Sequence, residues 1–138
     1  MTTTHVVSLA LSKKLREVGY EQRGEFWWWI NKLSNVSKPL IHNFYAEKQT
    51  NSPKELANWN CIVAPIASEI MERLPACIDL GDYCSHLKVF KNEHLNSFCV
   101  EYPDIFDSGY EDNNLCNACA KMYIYLAENG LLDKGKET

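Results

Sequence analysis

The most closely spaced cysteines lie in Cys116-Asn117-Ala118-Cys119. Two thiols three residues apart share one face of a helix. At a helix start the peptide dipoles favour a thiolate, the reactive form. Thiol–disulfide catalysis wants a strand running directly into that helix. The residues before Cys116 are instead an acidic stretch, which disfavours a thiolate. Zinc would need two further donors, and Cys77, Cys84 and His86 offer them as Cys-x6-Cys-x-His. That spacing is far less specific than a second Cys-x2-Cys. The plain alternative makes Cys119 a core residue and Cys116 its neighbour. No cofactor is therefore expected, and a zinc site on Cys116, Cys119, Cys77, Cys84 and His86 is the competing reading.

Other chemistries find less support. His5, His42, His86 and His94 form no helical metal pair. His42 and His86 fall on predicted strands and could be neighbours in a sheet. The acidic group Glu101, Asp104, Asp107, Glu111 and Asp112 lacks the glycine and terminal glutamate of a calcium loop. No glycine-rich phosphate loop and no Gly-x-Ser-x-Gly elbow occurs. The sequence leans away from an enzyme.

Trp27-Trp28-Trp29 is the other unusual feature. On a strand, Phe26, Trp28 and Ile30 point to one face and Trp27 and Trp29 to the other. Either helices cover both faces, or Trp27 and Trp29 belong to an interface, since aromatics are enriched at binding hot spots. The expected working surface is the face around Trp27 and Trp29, meeting a protein partner or a second copy of the chain.

The elements that must position these residues follow from pattern and caps. Ser8 to Val18 predicts a helix, with Leu11, Leu15 and Val18 at helical spacing and Gly19 at its end. Glu25–Lys32 and Pro39–Glu47 predict strands, joined by a polar connection. Lys48–Asn60 reads as a loop. Pro65–Leu74 predicts a second helix, which Pro75 stops. His86–Lys91 and Asn96–Tyr102 predict a hairpin around Asn92-Glu93-His94, and Pro103–Asn113 an acidic loop. Asn114 caps a last helix, whose stripe is Leu115, Ala118, Cys119, Met122 and Leu126, and Gly130 closes it. The order α-β-β-α-β-β-α implies an α+β fold with three helices on a mainly antiparallel sheet of about four strands.

The whole chain sets the bounds. Its 138 residues fit one domain, with a polar tail from about residue 133. Hydrophobic residues make up 46%, enough for a core without metals or disulfides. A net charge of −4 argues against nucleic acid as partner. No apolar run approaches the ~18 residues that would span a bilayer, and Met1–Ala10 has no basic region of a signal peptide. A cytoplasmic location and reduced thiols are expected.

Three segments together resemble a known group of proteins. They are Leu11 to Tyr20 with Glu25-Phe26-Trp27-Trp28-Trp29, Ala64 to Pro75, and Ala118 to Leu132. The chain is similar there to a group of small phage, prophage and bacterial proteins without an established activity. The resemblance implies a compact α+β fold and a mobile-element origin, and it transfers no catalytic residue.

Overall fold

A computed structural model describes residues 6–29, 40–42, 61–103, 105 and 109–132. Its elements run α1 (Leu9–Glu17), β1 (Trp27–Trp29), β2 (Leu40–His42), β3 (Cys61–Val63), α2 (Ala67–Arg73), β4 (Cys77–Asp79), β5 (Cys84–His86), β6 (Lys88–Asn92), β7 (Ser97–Glu101), β8 (Tyr110–Asp112) and α3 (Leu115–Glu128). The fold is α+β, and every described strand pair is antiparallel. The strands form three small sheets, β2-β1-β3, β4-β5 and β6-β7-β8, where the sequence pointed to one sheet of about four strands. The difference has a physical cause. β3, β4, β5 and β8 are three residues each, too short for alternation to mark them. The loop expected over 103–113 contains β8, and the loop expected over 48–60 lies outside the described residues.

The helices follow their caps. The Ser8 hydroxyl accepts the Leu11 N–H at 3.3 Å to start α1. At its end Tyr20 N–H bonds the Leu15 carbonyl and Gly19 N–H that of Arg16, with Gly19 at φ 93°. This is a Schellman closure, which needs the left-handed residue that glycine supplies without strain. α3 ends the same way, through Leu131 N–H to Leu126 O and Gly130 N–H to Ala127 O. α2 starts two residues later than a helix led by Pro65 would. Pro65 lies outside it and its carbonyl accepts the Val7 N–H, while Glu69 reaches back to the Ile66 N–H at 3.0 Å.

α3 is the centre of the molecule. Eight of its 14 residues are buried, so apolar contact goes well beyond the predicted stripe to Cys116, Ala120, Tyr123 and Ile124. It packs on α1, α2, β7 and β8. β1 is the middle strand of its sheet, with Trp27 opposite His42 and Val63. Trp27 enters the main core with Leu15, Ile70 and Met122. Trp28 points the other way, into a smaller cluster with Val6 and Ala64. Both faces of β1 are thus covered at these two residues.

Candidate functional site

Trp27 is fully buried, and its indole N–H donates to the Gly24 carbonyl at 3.1 Å. It presents no surface to a partner, which corrects the expectation for this residue. The Trp29 side chain lies outside the described residues.

The five candidate zinc donors fall in two places. Cys116 and Cys119 are buried in α3. Burial pushes the Cys119 thiol up to about 12. Burial also raises Cys116, although the Ala67 N–H partly offsets it. Thiols held protonated in this way are poor nucleophiles and poor metal ligands. Cys77, Cys84 and His86 lie on the β4–β5 ribbon, with Cys77 opposite His86 and Asp79 opposite Cys84. Among the described residues, no three or more His, Cys, Asp or Glu side chains converge as metal donors. The combined site is not assembled in this structure. His42 and His86 stand in different sheets and are not strand neighbours.

The ribbon itself owes its shape to its turn. Gly81 has φ 102°, and Asp82, the other central residue, is not left-handed. Glycine takes that left-handed φ without strain, the Asp79 carboxylate accepts the Gly81 N–H at 2.8 Å, and Leu80 N–H to Tyr83 O at 2.9 Å joins the two chains beside the bend. Leu87 N–H to Ala76 O marks the far end. Side chains alternate across it, so Ile78 and Ser85 are buried while Asp79, Cys84 and His86 are exposed.

A cleft of about 650 Å³ lies where the starts of α2 and α3 meet, lined by Ile66, Ala67, Phe98, Asn114, Leu115 and Cys116 among others. Its walls are largely apolar, and its one thiol is held protonated by burial.

The exposed apolar side chains gather elsewhere. Leu80, Tyr83, Val89, Phe90 and Leu95 stand out of the two hairpins β4–β5 and β6–β7. β6 is the outer strand of its sheet and pairs only with β7 among the described strands. Val89 is 38% and Phe90 42% exposed, and they point to opposite faces. Lys88 and Lys91 are exposed on the same strand, with Nζ 6.0 Å over the Phe90 ring and 5.9 Å over the Phe98 ring respectively. Next to Phe90, Cys99 donates to Glu111 Oε2 at 3.5 Å, and burial followed by that carboxylate raises its thiol. Sequence reasoning found the β6–β7 hairpin but not its exposure. The alternation of Val89 with Lys88 and Phe90 is equally that of a half-buried strand, and the signal that β6 is an edge lies in tertiary placement.

Among the described residues no helix is long and apolar enough to cross a membrane. Compared with known proteins, the chain matches no family model, no curated protein and no solved structure. The fold defines the class: an α+β protein whose described strands form three small antiparallel sheets, with the buried helix α3 packed on β7 and β8 of one of them.

Proposed function

We propose that this protein is a binding module, without catalytic activity of its own, that takes up an extended segment of a protein partner along β6. The observation that carries this reading is a strand that is outermost among the described ones and whose apolar side chains, Val89 and Phe90, remain exposed on both faces. An unpaired strand edge offers a row of backbone donors and acceptors, and a peptide that adds to it gains affinity from them. The flanking side chains give selectivity. β6 carries Lys88 and Lys91 and no acidic residue. The partner segment therefore places apolar side chains beside Val89 and Phe90 and acidic ones beside Lys88 and Lys91. Two β6 strands paired with each other would have no such charge match, which favours a heterologous partner over a second copy. The mobile-element origin implied by the sequence resemblance belongs to the same reading, as a small accessory protein.

The test is a random-peptide display selection against the purified protein and against its Lys88→Glu, Lys91→Glu double variant. The wild-type protein should enrich apolar–acidic peptides, and the double variant apolar–basic ones. Identical enriched peptides from both proteins would show that β6 is not the docking strand.

A further inference from the structure

The outward face of the β4–β5 ribbon brings two thiols together. The bonds Leu80 N–H to Tyr83 O and Leu87 N–H to Ala76 O fix the ladder. Hydrogen-bonded pairs alternate with non-hydrogen-bonded ones, so Cys77–His86 and Asp79–Cys84 are of the second kind, in which side chains stand closer. Cys77 and Cys84 lie diagonally between these pairs, on one face. Two-stranded ribbons twist more strongly than larger sheets. The neighbouring Cys77 thiol raises the Cys84 thiol, as two groups side by side on this face would. Cys84 is exposed and Cys77 half-buried, so a reagent from solution reaches the pair.

We propose that Cys77 and Cys84 are a reversible dithiol–disulfide pair, which a low-molecular-weight disulfide oxidises to a cross-link over the outward face of the ribbon. The exposed Cys84 loses its proton, and its sulfur attacks one sulfur of the small disulfide. That disulfide bond breaks, and one small thiol leaves with a proton. Cys77 then loses its proton and attacks the Cys84 sulfur. The Cys77–Cys84 bond forms, and the second small thiol leaves. The protein gives up two electrons and two protons, and the small disulfide becomes two thiols. Exposed and strained disulfides are the easily reduced, regulatory kind. The link is therefore reversed by excess small thiol.

Cys116 and Cys119 do not compete, because both are buried. Cys99 is separate, on β7, with Glu111 as its partner.

The test incubates the reduced full-length protein, freed of metal by a chelator, with oxidised glutathione. Products are trapped by alkylation in denaturant and read by intact mass and peptide mapping. The expected main product has lost two hydrogens, carries a Cys77–Cys84 link and returns to the dithiol with dithiothreitol. Cys99→Ser behaves like the wild type. Cys77→Ser and Cys84→Ser, both mild changes at accessible positions, form no link and gain one glutathione on the remaining ribbon thiol. A wild-type protein that stops at the glutathione adduct overturns the proposal. A link that joins Cys84 to a cysteine other than Cys77 overturns it too.

Discussion

The Asn114 side-chain amide donates to the backbone carbonyl of Val6 at 3.1 Å, across 108 positions of sequence. The same side chain uses its oxygen to accept the Cys116 N–H at 2.8 Å and so caps α3. One turn on, Asn117 Oδ1 accepts the Ser8 N–H at 2.8 Å. The first described residues are thus fastened to the start of the central helix by two asparagines.

Removal of both Asn114 bonds should be costly. Asn114→Ala should lower the unfolding free energy by about 1–3 kcal/mol, a lost cap plus a lost hydrogen bond. Asn114→Ser keeps a capping oxygen and loses the Val6 tie, so it should cost less. Urea denaturation of the three proteins checks the order; equal loss in both variants would mean that the cap contributes nothing.

Trp27 and Phe90 should behave oppositely. Trp27→Ala empties a fully buried site and should cost about 3–5 kcal/mol. Phe90 is 42% exposed, and its truncation to alanine should change stability by less than about 0.5 kcal/mol. Thermal unfolding of both variants decides. A large loss for Phe90→Ala would place that ring in a core and remove it from the docking strand.

Gly24 is fixed by its neighbours. A Cβ at this position would lie 2.7 Å from Val63 Cγ2 and 3.3 Å from both Glu69 carboxylate oxygens. Val63 is fully buried and cannot yield freely. Gly24→Ala should therefore destabilise the fold by about 1–3 kcal/mol, as overpacking does. A chemical denaturation midpoint unchanged from wild type would show that β3 moves aside at no cost.

Asp112 makes stability depend on pH. Burial alone would raise its carboxyl, but the Asn114 N–H at 2.8 Å and the Lys121 ammonium at 2.9 Å outweigh burial and hold it below its ordinary value. A carboxyl lowered in the folded state adds stability above its unfolded value, and that stability is lost as pH falls through the folded value. Both partners are partly exposed, so solvent screening keeps the contribution to about 1 kcal/mol or less. Asp112→Asn should thus be less stable than wild type at neutral pH, and the gap should close in acid. Denaturation series at both pH values measure this; a gap that persists in acid would assign the loss to something other than charge.

Thiol accessibility should sort the cysteines. Among the described cysteines of the native protein, Cys84 should alkylate first, while Cys116 and Cys119 should react only on unfolding, because burial both shields them and keeps them protonated. Cys84 is raised chiefly by the neighbouring Cys77 thiol, so its rate should keep climbing through mildly alkaline pH without an early plateau. Timed alkylation with peptide mapping reads both. Early labelling of Cys119 would contradict the central place of α3.

Much of this architecture was legible before any coordinates. Ser8, Gly19, Pro75, Asn114 and Gly130 carry local chemistry that bounds helices, and α1, α2 and α3 lie within a residue or two of their predicted limits. The β6–β7 hairpin was legible for the same reason. The short strands were not, since Cys61–Val63 and Tyr110–Asp112 gain their identity from pairing with distant partners. The Gly81-Asp82 turn was a readable signal that the flanking Cys77–Asp79 and Cys84–His86 strands pair, and it was missed. Exposure was least legible of all. Trp27 and Phe90 are both aromatic residues on strands, and only the position of β1 at the middle and β6 at the edge of a sheet separates them.

The docking strand is tested most directly by amide hydrogen exchange on the protein with a peptide from the display selection, with and without Phe90→Glu. Exchange should slow chiefly in Lys88–Asn92 when the peptide binds. Both the protection and the binding should be lost in the variant. Protection elsewhere, or binding indifferent to Phe90→Glu, would contradict docking on β6.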